Sequence, residues 1–369
     1  MGLQPGALPD FPWDSLAPYR ALAIEHPDGV VDLSVGTPVD PTPALIQDAL
    51  RDAANAPGYP TTHGTLALRE AVVAWFERTR SVTGLSADAV LPTVGSKELV
   101  AFLPALLGLG DGDTVVHPAA AYPTYAVGAT LAGASALATD DVAAWAGRDD
   151  VRLVWVNSPS NPTGAVLSRD ELRQVVEAAR RIGAVVASDE CYAALSWTDA
   201  PVPSILDPEV CGGSHEGLLA VYSLSKQSSL AGYRAAFAAG DPALIAGLVE
   251  TRKHAGMIVP APVQAAMTVA LGDDEHVTAQ RETYRARRET LLTAVKNAGF
   301  SVSASEAGLY LWATRDEDCW KTIEWLASRG IVAAPGSFYG TAGDQHVRIA
   351  LTATDERVQE ASRRLSKDR

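Results

Sequence analysis

The chain has 369 residues, of which 47% are apolar and 20% are charged, and its formal net charge at pH 7 is −14. This length predicts two domains, and the composition excludes wholesale disorder. The negative charge argues against nucleic acid as the main partner, because no net cationic field exists to displace counterions.

Cysteine usage and hydropathy favour a cytoplasmic location. The three cysteines, Cys191, Cys211 and Cys319, are an odd number without metal-ligand spacing, so we expect a reducing compartment and no metal site. The first residues lack the basic start and apolar core of a signal peptide. No apolar run is long enough to span a bilayer, so we expect no membrane partner.

Residues 1–40 are rich in proline and lack periodicity, which predicts an arm rather than a domain. Within it, V-D-L-S-V-G-T-P (31–38) predicts a strand followed by a turn. Gly36 in that turn has two interpretations: it allows close backbone approach to a ligand, or it is a turn glycine with positive φ.

Helical and strand-like patterns alternate from residue 43 onwards. Apolar residues at helical spacing predict helices over 44–54 and 65–76, and a strand-like run then passes into G-S-K. Gly95 and Ser96, just before a helix beginning near Lys97, are a candidate anion site, although serine is also a common helix N-cap.

Further apolar runs predict buried strands ending near residues 118, 157, 190, 222 and 240. S-R-D-E at 168–171 predicts a capping box at the start of a helix. Strands that are apolar on both faces and separated by helices specify a mostly parallel sheet, with ligands beyond the carboxyl ends of its strands. The polar residues that follow these runs are Ser96, Tyr122, Asn161, Asp189, Tyr192, Ser223 and Lys226.

The last third of the chain predicts a smaller α+β unit. A long charged helix over about 275–297 precedes strands at 300–305, 308–313 and 346–351 and a helix at 318–329. We predict an arm of residues 1–40 that joins the small domain, a large domain of residues 41–270, and a linking helix with the small domain at 271–369.

Lys226 lies in a hydroxyl-rich turn after the buried run 218–222, with Arg234 eight residues further on. One interpretation is a lysine in a polar loop. The other is an amine that forms a Schiff base with a carbonyl compound, with the hydroxyls and Arg234 binding a phosphate.

Five motifs together resemble one family: G-Y-P-T-T-H-G-T-L-A-L-R-E, N-P-T-G, D-E-C-Y, S-L-S-K followed by G-Y-R, and H-V-R-I-A-L. The chain resembles, over nearly its whole length, the class I/II aminotransferases of fold type I, which depend on pyridoxal 5′-phosphate. This resemblance implies an α/β fold, with a mostly parallel sheet flanked by helices in a large domain and a smaller α+β domain. It also implies a homodimer acting on amino acids and 2-oxo acids.

The resemblance implies roles for the residues around the ring of the cofactor. Lys226 would form the Schiff base and then shuttle the substrate proton, while Asp189 would keep the pyridine nitrogen protonated. Asn161 and Tyr192 would hydrogen-bond the ring O3′. Tyr122 would stack on the ring, unless it is only a core aromatic.

The resemblance also implies the residues that hold the two anionic groups. The phosphate set consists of Gly95, Ser96, Lys97 (through its N–H), Ser223, Arg234, and Tyr59 from the neighbouring subunit. Arg348 would bind the substrate α-carboxylate bidentately, with Gly36 and Asn161 also lining the substrate site.

Segments such as R-K-H-A-G-M-I-V-P-A-P-V-Q and P-G-S-F-Y-G look like those of actinobacterial succinyldiaminopimelate transaminases. That resemblance implies N-succinyl-L,L-diaminopimelate as amino donor, with glutamate and 2-oxoglutarate as the second pair, in lysine biosynthesis. Its distal carboxylate needs a cation, for which Arg252, Lys253 and His254 are the nearest candidates, unless they form a solvated helix face. Alternatives are a transaminase for aspartate, alanine or an aromatic amino acid, and a β-lyase; a regulator that senses the cofactor is disfavoured by the complete lysine and arginine set.

Overall fold

The structure is a computed structural model that describes Leu8 and residues 12–366. Residues 1–7, 9–11 and 367–369, which include most of the start of the predicted arm, lie outside the described residues. Among the described residues, no helix combines the length and hydropathy needed to cross a bilayer.

The strands are, in chain order, β1 Val31–Asp32, β2 Val90–Val94, β3 Thr114–His117, β4 Ser135–Ala138, β5 Val151–Asn157, β6 Val185–Asp189, β7 Leu218–Ser223, β8 Ala235–Gly240, β9 Ser301–Ser303, β10 Tyr310–Thr314, β11 Ile331–Val332, β12 Ala334–Pro335 and β13 His346–Ala350. The helices are α1 Ala17–Ile24, α2 Ala44–Asp52, α3 Leu66–Arg80, α4 Ser96–Leu106, α5 Thr124–Ala132, α6 Arg169–Ile182, α7 Pro208–Cys211, α8 Pro242–Ala255, α9 Ala261–Gly272, α10 Glu275–Asn297, α11 Cys319–Ala327 and α12 Asp355–Leu365.

A seven-stranded sheet organises the larger part of the chain, in the order β2-β8-β7-β6-β5-β3-β4. Its strands are parallel except β8, which is antiparallel to both neighbours. Along β5, Val154 and Val156 pack into the apolar core on one face, and Leu153 and Trp155 into the core on the other. The predicted mostly parallel sheet with helices on both faces is confirmed.

Local sequence signals fix the ends of the helices that cover this sheet. The predicted capping box of α6 is present: Ser168 accepts a hydrogen bond from the Glu171 N–H, and the Glu171 carboxylate accepts one from the Ser168 N–H. Gly183 ends the same helix in the left-handed conformation, which glycine adopts without steric cost.

The C-terminal unit is built on a smaller antiparallel sheet in the order β12-β13-β10-β9. The N-terminal segment belongs to the same core, because β1 pairs in parallel with β11 and Leu16, Val31 and Leu33 pack into its apolar cluster. This packing is what the predicted arm requires, while the boundaries at residues 40 and 270 stay predictions.

Candidate active site

A cavity of about 450 Å³ opens beyond the carboxyl ends of β5, β6 and β7. Most of the site residues predicted from the sequence line it: Gly36, Ser96, Lys97, Tyr122, Asn161, Asp189, Tyr192, Ser223, Lys226, Arg234 and Arg348. Parallel strands deliver their terminal residues to one edge of the sheet, which explains why residues far apart in sequence converge here. The cavity lies between the two cores, because β13 contributes Arg348 from the smaller sheet.

One end of the cavity is suited to a phosphate. Ser96 begins the eleven-residue helix α4, whose N-terminus favours an anion. Ser223 and Ser225 add hydroxyl groups whose oxygens are 2.8 Å apart, and Arg234 adds a guanidinium. Hydroxyl donors, a helix N-terminus and a cation at one place are what a phosphate group requires.

Gly95 does not line the cavity, but the position of the Arg234 side chain requires a glycine here. Its φ is 75°, and a Cβ there would lie 2.2 Å from Nη2 of Arg234. Its N–H also donates to the Arg234 carbonyl at 2.7 Å. A side chain at residue 95 would therefore displace the guanidinium from the phosphate end.

Lys226 projects into the cavity, and its Nζ donates to the Gly36 carbonyl at 2.6 Å. Gly36 does not adopt a positive φ, so the interpretation as a left-handed turn glycine is wrong. The requirement for glycine is steric, because a Cβ would lie 2.0 Å from the hydroxyl oxygen of Tyr310.

Asp189 is buried at the end of β6 and faces the cavity. Its carboxylate accepts hydrogen bonds from the Tyr125 hydroxyl at 2.9 Å and from the Cys191 N–H at 3.2 Å. Burial raises the pKa of Asp189, and these two groups and the charge of Lys226 only partly oppose the shift. A buried carboxylate held by two donors fits a ligand nitrogen that carries a proton.

Arg348 is buried, and within the described residues no carboxylate pairs with it. Its Nη1 donates to Asn161 Oδ1 at 3.0 Å and its Nη2 to the Ser34 carbonyl at 2.8 Å, while Nε has no partner. The guanidinium carbon lies 3.8 Å from the ring centroid of Tyr310 and 4.9 Å from that of Tyr339. A buried cation without a counterion fits the carboxylate of a substrate.

Tyr192 and Tyr310 form a hydroxyl pair at the cavity wall, with their oxygens 3.2 Å apart. Burial and the neighbouring Tyr310 raise the pKa of Tyr192 well above its ordinary value. Burial also raises the pKa of Tyr310, but the positive charges of Arg348 and Lys226 outweigh it and lower the pKa overall. The two pKa shifts are opposite in direction, so Tyr310 is the more acidic phenol of the pair.

Sequence analysis missed three aromatic residues that line this cavity, Trp13, Tyr125 and Tyr310. Strand alternation puts Tyr310 on the same face of β10 as Trp312, and Trp312 pairs directly with Arg348 of β13. The alternation is visible in the sequence, but the pairing that brings Tyr310 to the site is not. Tyr125 follows Tyr122 by three residues, and the two rings are 6.0 Å apart. Tyr122 lines the cavity, and its stacking on the cofactor ring stays a prediction.

Tyr59 does not line the cavity of its own chain. It lies in a loop, and its side chain is fully exposed. This position is compatible with the predicted contribution to a neighbouring subunit, which stays a prediction.

The structure argues against Arg252 as the cation for a distal carboxylate. Arg252 is fully buried, and its Nη1 donates to Glu98 at 3.1 Å. Glu98 also accepts from the Val94 N–H at 3.0 Å, so this pair braces the turn between β2 and α4. Lys253 pairs with Glu250 on its own helix, and neither Lys253 nor His254 lines the cavity.

Comparison with known proteins agrees with this geometry. The model of the family described as aminotransferase class I and II matches residues 28–365. The chain is 60% identical over 360 residues to the probable aminotransferase Rv1178 of Mycobacterium tuberculosis, covering 98% of this chain and 86% of that protein. It is 58% identical to the 4-dedimethylamino-4-oxo-anhydrotetracycline transaminase OxyQ of Streptomyces rimosus, covering 97% of this chain and 99% of that protein.

Solved structures give the same picture. The structure of N-succinyldiaminopimelate aminotransferase from M. tuberculosis superposes with a TM-score of 0.85 at 29% identity, covering 95% of this chain and 96% of that chain. Because the two identities are 60% and 29%, the two M. tuberculosis proteins are different aminotransferases.

Proposed function

The chain belongs to the class I and II aminotransferases, and we propose that its amino donor carries a second, distal carboxylate. We name N-succinyl-L,L-diaminopimelate as that donor, with glutamate and 2-oxoglutarate as the second pair. The cofactor of this family is pyridoxal 5′-phosphate. When bound, it supplies the electron sink for the electrons released as the substrate Cα–H bond breaks.

The residues of the cavity fit that cofactor, and each would have a separate role. Ser96, Ser223 and Arg234 would bind its phosphate, and Asp189 would hold the proton on its ring nitrogen. Lys226 Nζ would accept the proton from the substrate Cα and later return it.

Arg348 and Asn161 would bind and orient the substrate α-carboxylate. The buried guanidinium is already held by Asn161 and the Ser34 carbonyl, so little reorganisation accompanies binding. These two bonds use two of the five N–H donors of the guanidinium, so three remain, including the unpartnered Nε–H.

The observation that carries the choice of substrate is a further cation in the cavity wall. Besides Lys226, Arg234 and Arg348, the cavity is lined by Lys97, an exposed side chain at the second position of α4. Its Nζ lies 5.9 Å from the centroid of the Tyr122 ring. We assign the Lys97 ammonium to the distal carboxylate, in place of the role through its N–H alone.

The test measures the first half-reaction of Lys97→Met with N-succinyl-L,L-diaminopimelate and with alanine. A lost charge-assisted hydrogen bond raises KM for the succinylated donor about 10- to 100-fold and leaves KM for alanine within about twofold. Lys253→Met, which removes an exposed lysine outside the cavity, is the matched control. Equal effects of Lys97→Met on both donors would overturn the assignment.

A second candidate is the amination of a bulky cyclic ketone. It is favoured by the 58% identity to the OxyQ transaminase, whose name specifies an anhydrotetracycline ketone. The cavity walls formed by Trp13, Tyr122 and Tyr310 suit a planar ring system. Faster turnover of such a ketone than of the oxo form of the succinylated substrate would establish this candidate instead.

A further inference from the structure

A continuous chain of hydrogen bonds runs from the turn that carries Lys226 to the start of α10. The Ser228 hydroxyl lies 2.8 Å from Nε2 of His276, and Nδ1 of His276 lies 2.6 Å from the Asp273 carboxylate. On the other side, Gln227 Nε2 donates to Ser228 Oγ at 3.4 Å, and the Tyr222 hydroxyl donates to Gln227 Oε1. The chain joins β7, the lysine turn and the long helix α10.

The Asp273 carboxylate, at the end of this chain of hydrogen bonds, sets the direction of the bond from His276. A carboxylate only accepts, so Nδ1 of His276 carries a proton, and in the tautomer protonated at Nδ1 alone Nε2 accepts from Ser228. Hydrogen bonds from the backbone N–H and the ring of His276 lower the pKa of Asp273. In that tautomer every donor in the chain points towards Asp273, an arrangement in which the bonds strengthen one another.

The same three residue types in the same order form the triad of serine hydrolases. That function does not apply here, because the Ser228 side chain is only 1% exposed and does not line the active-site cavity. A nucleophile must reach its substrate, which Ser228 cannot do. The role of Ser228, His276 and Asp273 is therefore structural.

The backbone of Ser229, next to Ser228, has a strained conformation that these contacts stabilise. Ser229 has φ of 52°, a left-handed conformation that costs a non-glycine residue free energy and persists only where neighbours enforce it. Two side-chain contacts enclose it: Thr42 donates to the Ser229 carbonyl at 2.9 Å, and Ser228 bonds to His276. Lys226 stands three residues before this strained position.

Helix α10 is itself fixed to the segment that precedes α2. Gln280 donates to Asp40 at 2.9 Å, and Arg287 donates to both oxygens of the same carboxylate at 2.6 and 2.7 Å. His276, Gln280 and Arg287 lie on one face of the helix, at positions four and seven residues apart. The contact with Ser228 extends this polar face to the lysine turn.

We propose that Ser228, His276 and Asp273 are positioning residues, which fix the Lys226 turn to the helix that connects the two parts of the chain. The inference rests on the proposed role of Lys226 in proton transfer. The hydrogen-bonded chain limits the positions open to the lysine amine, on which the transfer depends.

The test combines a double-mutant cycle with amide hydrogen exchange. Ser228→Ala, His276→Ala and the double variant are compared with Thr283→Ala, which removes a solvent-side hydroxyl from the same helix. We expect the rate constant of the first half-reaction to fall about 10- to 100-fold in each single variant, with KM changed less than about twofold. The double variant should be no slower than the slower single variant, because both lose one shared bond.

Hydrogen exchange is measured on the cofactor-free proteins, so it does not depend on catalysis. Amides of residues 224–229 should exchange about tenfold or more faster in the Ser228 and His276 variants, and at the wild-type rate in Thr283→Ala. If His276→Ala does not fold, His276→Gln, which keeps an acceptor but loses the ring, replaces it in the same cycle. Multiplicative effects in the double variant, or unchanged exchange, would overturn the proposal.

The two proposals fail in different ways. If Lys226→Ala retained full activity, the role of the lysine would be wrong, although the exchange result would stand. If Lys226→Ala were inactive, and the Ser228→Ala and His276→Ala variants had the same rate constant and hydrogen exchange as Thr283→Ala, only the positioning role would be wrong.

Discussion

Gly36→Ala is expected to destabilise the protein and to disturb the active site through one side chain. The new methyl group would lie 2.0 Å from the Tyr310 hydroxyl oxygen and 2.7 and 2.9 Å from two atoms of its ring. Atoms cannot approach this closely, and the buried ring has little room to yield because the Arg348 guanidinium lies 3.8 Å from its centroid. Overpacking of this kind costs about 1–3 kcal/mol.

The assay is equilibrium unfolding in urea, with KM for the amino donor measured in parallel. Because the three atoms nearest to the new methyl group all belong to Tyr310, the cost of Gly36→Ala should fall below about 0.5 kcal/mol in a Tyr310→Leu background. Tyr310→Phe should relieve it only in part, since the two ring atoms remain. KM should rise in Gly36→Ala, because the displaced ring moves Arg348.

Gly247→Ala is the matched control. Gly247 is exposed in the interior of α8, and a Cβ there meets no atom within 4 Å. Alanine should therefore stabilise the protein by about 0.5–1 kcal/mol, a change of opposite sign. Equal costs of Gly36→Ala in the wild-type and Tyr310→Leu backgrounds would refute the steric argument.

Three further predictions follow from the site. Lys226→Ala should abolish transamination while the folded protein still binds the cofactor, without the absorbance of the lysine-linked form; retained turnover would contradict the assignment. Asp189→Asn should stabilise the cofactor-free protein at pH 7, because burial raises the pKa of Asp189 above its ordinary 3.8 and its charged form is disfavoured in the folded state. That gain should disappear in urea unfolding below about pH 4, where the carboxyl group is protonated in both states, and a gain independent of pH would point to another cause. Tyr59→Phe should weaken cofactor binding in titrations of a dimer without affecting unfolding, because the side chain is fully exposed in its own chain; unchanged affinity would remove Tyr59 from the phosphate site.

The part of the site that the sequence predicts is the part set by strand ends. Asp189 and Ser223 each close an apolar run, and parallel strands bring such endings to one edge whatever the remaining contacts are. The turn that carries Lys226 follows from the same rule. These positions depend on local patterns, which a single sequence contains.

The rest depends on pairings between distant segments. Tyr310 enters the site only because β10 and β13 pair in one register, and that register is not contained in either strand alone. Arg252 looks like a solvated cation in the run R-K-H, whereas its burial against Glu98, 154 residues earlier, makes it structural. The bond from Ser228 to His276 spans 48 residues and leaves no periodic signal. β4 was not predicted, because most of this edge strand is exposed and it lacks a long apolar run.

The unpaired Arg348 also affects how substrates reach the enzyme. Four cationic side chains and one carboxylate line the cavity, although the whole chain carries a formal charge of −14. With Arg234 on the phosphate and Lys226 linked to the cofactor, Lys97 and Arg348 are the cations that face an arriving substrate, and low-dielectric walls concentrate their field. Dicarboxylic substrates would be guided towards the opening over distances comparable to the Debye length, so their association rates should fall as ionic strength rises.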